Sequence, residues 1–226
     1  TMPRPTYDIA SAISASDWRG AISLFEGMSS VHPSYSGEGQ TWQSFAGAVA
    51  PKQPQIVSDK AQGTFFLPTA LREAPLVGLT RDRAKASGKP LNGTMRSAAH
   101  VVAGTAIKLD LDSVTRDKLV HVIECLRRQR LAYILFSTYS QGVKRGIRAR
   151  LVLPLDQALA PAGYAHAVRR ASIELLGCSL DASEAHLHQL AGCFVAHPDR
   201  RERAFRYTQF DGVSLSSQAL LASGNP

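Results

Sequence analysis

Ile107-Lys108-Leu109-Asp110-Leu111-Asp112 closes an apolar run with two carboxylates one residue apart. Side chains alternate across a strand, so Asp110 and Asp112 share one face while Leu109 and Leu111 share the other. Paired carboxylates at a strand end are a common means of holding a divalent metal beside phosphate; the plainer alternative is a surface strand with two solvated acids. Just downstream, Leu119, Val122, Ile123 and Leu126 recur at helical offsets, which predicts a helix over 115–129. Ser113 or Thr115 can cap it and Asp117 suits its first turn. Leu131 to Thr138 then reads as a second strand, giving a βαβ unit with parallel strands and a right-handed crossover. Carboxyl ends of parallel strands lie at one sheet edge, where open α/β sheets bind ligands. The acids should therefore approach Ser137, Thr138 and Ser140 if the two strands are neighbours. A short loop over 141–147, with Gly142, Lys144, Arg145 and Gly146, predicts a hairpin into a third strand over 148–153. Arg148 and Arg150 would then share a face near the same edge.

The composition sets the context for that convergence. The 226 residues are 44% hydrophobic and 19% charged, enough for one large core or two small ones. An excess of 26 Lys and Arg over 18 Asp and Glu gives a net charge of +8 and a pI near 9.7, which favours anionic partners, nucleic acid first. No apolar run reaches the roughly 18 to 20 residues of a membrane span, and the start Thr1-Met2-Pro3-Arg4-Pro5 lacks the apolar core of a secretory signal. A cytoplasmic protein without a membrane partner is expected. Cys125, Cys178 and Cys193 are an odd set among apolar neighbours, which argues against a disulfide framework. Thr1 ahead of Met2 reads as a tag remnant, and the end at Pro226 as that of an excised module whose natural chain continues.

Outward from the centre, the expected organisation is a mainly helical region over 1–63 packed on an α/β (α+β) domain over 64–226. In the first region, 18–28 and 41–46 read as short helices around a Ser/Gly/Pro-rich stretch; Thr64 to Leu67 is a strand ended by Pro68. Residues 79–96, with Arg81, Arg83, Lys85, Lys89 and Arg96 among Gly and Pro, read as a basic loop. Pro161 to Leu176 is a helix with Pro at a permitted early position and Gly177 as its stop. Strands over 193–196 and 204–207 and a closing helix over 214–221 complete the reading.

Several competing motifs fail. Ala86-Ser87-Gly88-Lys89-Pro90 lacks the hydroxyl residue after lysine and the earlier glycine of a phosphate loop, and nothing matches Gly-x-Ser-x-Gly. His186-x-His188 with Cys178, Cys193 and His197 matches no common zinc spacing. Arg127, Arg128 and Arg130 are accounted for by the helix dipole. Arg200, Arg201, Arg203 and Arg206, interleaved with Phe205 and Tyr207, are candidates for DNA binding, since cations can meet phosphates and aromatics can stack on bases; a solvated turn explains them equally. Arg145 in the hairpin loop joins them.

The order Leu109-Asp110-Leu111-Asp112, Phe136-Ser137-Thr138-Tyr139-Ser140, Arg148-Ala149-Arg150-Leu151-Val152-Leu153-Pro154-Leu155 and Leu180-Asp181-Ala182-Ser183 resembles the archaeo-eukaryotic primase superfamily, most closely the primase-like replication proteins of plasmids, phages and integrated elements. The resemblance implies an RRM-like mixed catalytic sheet, a nucleotidyltransferase that joins nucleotides on a DNA template, and a two-metal site for Mg²⁺ or Mn²⁺ on Asp110, Asp112 and Asp181. Ser137, Thr138, Ser140, Gln141, Lys144, Arg148 and Arg150 would hold the nucleoside triphosphate, and a helicase would act in the same chain or in trans. The superfamily usually places a phosphate-contacting histidine where Gln141 stands, and glutamine can donate a hydrogen bond but carries no charge. Two rivals therefore stay open: a non-catalytic module that recognises a replication origin, and a metal-dependent nuclease, which has less need of triphosphate-directed arginines.

Overall fold

A computed structural model describes residues 8–143, 145–177 and 185–222. In chain order the elements are β1 (Ala10–Ser14), β2 (Arg19–Glu26), β3 (Tyr35–Thr41), α1 (Trp42–Val49), β4 (Gln55–Ile56), β5 (Thr64–Leu67), β6 (Ala74–Pro75), α2 (Gly78–Ala86), β7 (Asn92–Gly93) and β8 (Gly104–Val114). They continue with α3 (Arg116–Arg128), β9 (Tyr133–Ser137), β10 (Ile147–Leu159), α4 (Pro161–Leu176), β11 (Ala191–Gly192), β12 (Val195–Ala196), β13 (Arg206–Gln209), β14 (Val213–Leu215) and α5 (Ser217–Ala222). The fold is α+β. No helix among the described residues is long and apolar enough to cross a membrane.

The main sheet is organised around β10. Along one edge it pairs antiparallel with β8, from Ile147 opposite Val114 to Leu159 opposite Gly104. Its other edge is shared, antiparallel to β9 over Ala149–Val152 and parallel to β14 at Leu155; β13 extends the sheet beyond β9 and β1 beyond β14. Because β8 and β9 both run against β10, they are parallel to each other, as the βαβ reading requires. They are not neighbours, however: β10 lies between them, which is the split βαβ arrangement. The strand predicted to stop before Pro154 runs through it, and Pro154 falls where that edge passes from β9 to β14, a point where a missing N–H is tolerated.

Alternation along these strands divides the interior. Ile107, Leu109 and Leu111 of β8, Leu135 of β9, and Ala149, Leu151 and Leu153 of β10 join the core beneath α3, α4 and α5. α3 contributes Leu119, Val122, Cys125 and Leu126, its Thr115 cap accepting the Lys118 N–H. α4 begins at Pro161 and stops at Gly177 in the left-handed region, and its buried Tyr164 donates to the Ala106 carbonyl at 3.1 Å. On the opposite face, Ala106, Ile134, Phe136 and Val152 join an aromatic cluster of Trp18, Trp42, Phe45 and Phe66. Trp42 stacks on Phe45 at 5.5 Å and Trp18 meets both edge-on. That cluster belongs to α1 and to a second sheet in the order β11-β5-β2-β3.

The N-terminal region departs from the helical expectation: β1, β2 and β3 are strands and α1 is its one α-helix among the described residues. Residues 18–28 were expected to be helical, yet Ala21, Ile22, Ser23 and Phe25 are buried within β2, a strand enclosed between β3 and β5. A short apolar run buried on both faces has no period to distinguish it from a helix. Two smaller differences follow the same lines. The basic loop contains α2, whose buried residue is Ala84 alone, and the closing helix begins at Ser217, because Val213–Leu215 are drawn into the sheet between β1 and β10.

Candidate active site

On the face carrying Ala106, Ile134 and Phe136, the second sheet covers the middle of the main sheet and leaves one end open. The result is a cleft of about 280 Å³, whose walls include Asp110 and Asp112 of β8, Arg148 and Arg150 of β10, Thr138, Tyr139 and Ser140 of the β9–β10 hairpin, and Phe65, Gly192 and Cys193 of the second sheet's side. The register explains the central contacts. Arg150 stands opposite Asp110; its Nε donates to Asp110 Oδ1 at 2.6 Å and its Nη2 to Oδ2 at 2.8 Å, while Nη1 donates to the Gly192 carbonyl of β11. One guanidinium thus ties three strands together. Burial alone would raise the Asp110 carboxyl, but Arg150, with Lys108 and Lys60 behind it, holds it below the usual carboxylate range.

Arg148 makes the outer pair. Its Nη1 donates to Asp112 Oδ1 at 2.9 Å and its Nη2 to Ser113 Oγ at 3.1 Å, and the Asp112 side chain is 63% exposed. Here β8 is distorted: Ser113 has φ 57°, and Gly146 of the hairpin lies so near that a Cβ on it would be 2.8 Å from the Ser113 Cα and carbonyl carbon. The predicted convergence of acids, arginines and the hydroxyls of Thr138 and Ser140 on one face is what the structure contains.

Other candidates are placed differently. Ser137 is buried, its Oγ accepting the Phe205 N–H at 3.1 Å, so it ties β9 to the segment before β13. Gln141 Oε1 accepts the Arg148 N–H at 2.7 Å and closes the hairpin. Arg145 is exposed on that loop. Arg200 lies 5.6 Å over the Tyr139 ring and Arg203 donates to the Gly142 carbonyl at 3.4 Å, so this 3₁₀ turn braces the hairpin; Arg201 is exposed beside them. Arg206 donates to the Ala50 carbonyl at 2.6 Å and anchors the end of α1. His197 faces Asp199 and the Tyr139 ring, away from a zinc grouping with His186 and His188, whose rings lie 5.3 Å apart. Asp181, Lys144 and Cys178 lie outside the described residues.

The sequence reading missed Lys60 and Arg96 as members of the cleft. Lys60 opens a 3₁₀ turn before β5, and Arg96 lies early in the connection from β7 to β8; nothing in their local sequence connects either to the acids. Tyr139 was visible only as part of the hairpin motif, and here it donates to the Ser58 carbonyl at 2.7 Å.

Carboxylate oxygens are the ligands that a hard cation such as Mg²⁺ or Mn²⁺ takes. Arg150 occupies one position on each Asp110 oxygen, and a carboxylate offers about four, so the donor chemistry fits. Among the described residues no group of three His, Cys, Asp or Glu is assembled for a metal.

No characterised protein and no solved structure matches the chain. A family model does: that of the VapE N-terminal domain, over residues 80–212. The match takes in β8 to β13 and every cleft residue named above except Phe65 and Lys60. Covering more than half of the 226 residues, it assigns the chain to the VapE N-terminal domain family, the replication-associated proteins of mobile elements.

Proposed function

We propose that the cleft is a nucleotidyl-transfer site and that the chain is the DNA-dependent primase or primase-polymerase module of its replication protein. The observation that carries this reading is the joint presence of Asp110, Asp112, Arg148, Arg150, Thr138 and Ser140 around one cleft in a strongly basic chain. Asp110 and Asp112, with Asp181, would hold Mg²⁺ or Mn²⁺. Such an ion would supply positive charge to offset that of the reacting phosphate. The two arginines orient the carboxylates, and the hairpin hydroxyls are donors for phosphate oxygens. The partners are a DNA template, nucleoside triphosphates and a helicase in the same chain or in trans.

One observation favours a second reading, a non-catalytic DNA-binding module. Both oxygens of Asp110 accept from Arg150, and Gln141 is engaged in the hairpin rather than offered to phosphate. The test is template-dependent extension and de novo primer synthesis with labelled nucleotides and Mn²⁺ or Mg²⁺, comparing wild type, Asp112→Asn and Asp110→Ala/Asp112→Ala. Asp112 is the exposed partner, so its variant keeps the fold. Products from wild type that vanish in both variants support the transferase. No product from folded wild type, with salt-sensitive DNA binding unaltered by Asp112→Asn, selects the binding module.

A further inference from the structure

Among the described residues four cationic side chains line the cleft, Lys60, Arg96, Arg148 and Arg150, and they are not equivalent. Arg148 and Arg150 are each neutralised by an aspartate. Among the described residues no carboxylate pairs with Lys60 or Arg96. The acid next to Lys60 is already engaged, because Asp59 accepts the Ala61 N–H at 2.9 Å as the cap of its turn. Arg96 is fixed through its main chain, its N–H donating to the Val31 carbonyl at 2.8 Å, with His32 Nδ1 2.7 Å from the Thr94 carbonyl oxygen next to it.

We infer that Lys60 and Arg96 are the seat for the polyphosphate of the incoming nucleotide, and that Arg148 and Arg150 act instead as positioning residues for the acids. This rests on the nucleotidyl-transfer reading and changes which cations carry the substrate. A phosphate entering beside Asp110 and Asp112 needs positive charge not locked in an ion pair with them; among the described residues Lys60 and Arg96 are in no such pair, and Lys60 acts on Asp110 only through space. Partial burial also disfavours the charged form of Arg96, and no carboxylate among the described residues is paired with it, an arrangement that an arriving anion completes. Space points the same way. A cleft of about 280 Å³ lies just under the usual range of about 300–1,000 Å³ for small-ligand sites, enough for a polyphosphate tail with the nucleoside outside. A nucleic-acid backbone offers the same phosphate chemistry but would have to thread between the walls.

The probe is inorganic tripolyphosphate, titrated calorimetrically without DNA into wild type, Lys60→Gln, Arg96→Gln, the double variant and, as a control, Arg81→Gln on exposed α2. Each cleft substitution is expected to weaken binding about tenfold, the loss of one charge-assisted hydrogen bond, and the double variant more, with melting temperatures unchanged; Arg81→Gln should bind as wild type does. Unaltered tripolyphosphate binding in the double variant overturns the inference. So does a double variant that loses affinity for an unphosphorylated single-stranded oligonucleotide while keeping tripolyphosphate, since the cations would then face template. Primer synthesis separates the two proposals. If wild type seats tripolyphosphate through Lys60 and Arg96 but makes no primer, the seat stands and the transferase falls. If primer synthesis is indifferent to the double variant, the seat falls and the transferase stands.

Discussion

Replacing Arg150 with glutamine removes the donors that Asp110 Oδ1, Asp110 Oδ2 and the Gly192 carbonyl share, and so loosens β8, β10 and β11 at one point. Truncating one partner of a fully buried pair costs about 3–5 kcal/mol because the other charge is left uncompensated. Here the Asp110 side chain is 32% exposed against 10% for Arg150, so water recovers part of that loss and about 2–3 kcal/mol is expected. For a chain of this size each kcal/mol lowers the melting temperature by about 2–4 °C, which puts the shift at roughly 4–12 °C by calorimetry. In a double-mutant cycle with Asp110→Asn the two substitutions should couple by about 1–2 kcal/mol. The pH dependence has a definite sign. The folded carboxyl of Asp110 lies below its ordinary value, so the stability it confers is complete above the unfolded pKa of about 3.9 and is lost as pH falls from there through the folded value. Arg150→Gln should therefore flatten the acid limb of the stability profile and leave a constant deficit near neutrality. A melting temperature within about 1 °C of wild type, or no coupling in the cycle, would refute the claim that this pair organises the cleft.

Gly146→Ala should lower the denaturant midpoint by an amount equal to about 1–3 kcal/mol, since Gly146 has φ 85° and its new Cβ would meet the Ser113 main chain at 2.8 Å. Gly39→Ala, with φ 73° but nothing within 4 Å, should cost about 1 kcal/mol or less, and equal losses at the two positions would contradict the packing argument. Burial pushes the Cys193 thiol up to about 12 and leaves 4% of the residue exposed. Native protein should thus resist iodoacetamide at Cys193 at mildly alkaline pH, as followed by mass spectrometry, and label there only on unfolding; rapid native labelling would place that thiol in solvent.

The legible part of the molecule was the part whose contacts are near in sequence. β8, α3, β9, the hairpin and β10 follow one another, so strand alternation, a capped helix and a Gly-containing turn were enough to bring Asp110 and Asp112 to Arg148 and Arg150. Even there the strand order was hidden, because whether β9 or β10 lies beside β8 depends on which edge each strand finds, and both choices satisfy the same alternation. β2 was misread because Ala21, Ile22, Ser23 and Phe25 are all buried, on both faces of a strand paired between β3 and β5, leaving no polar–apolar alternation to mark it. Lys60 and Arg96 reach the cleft only through the packing of the second sheet on the first, a contact across long stretches of chain that no local pattern encodes. Arg206 shows the converse: it stood within a convincing basic and aromatic run, yet its guanidinium is used to hold the Ala50 carbonyl.

The most direct measurement is a crystal structure of the protein with Mn²⁺ and a non-hydrolysable nucleoside triphosphate, the metal located by its anomalous scattering. The expected result is Mn²⁺ at the carboxylates of Asp110 and Asp112 with the polyphosphate against Lys60 and Arg96. Both aspartates still held by Arg148 and Arg150 without metal, and nucleotide absent from the cleft at saturating concentration, would contradict a nucleotidyl-transfer site.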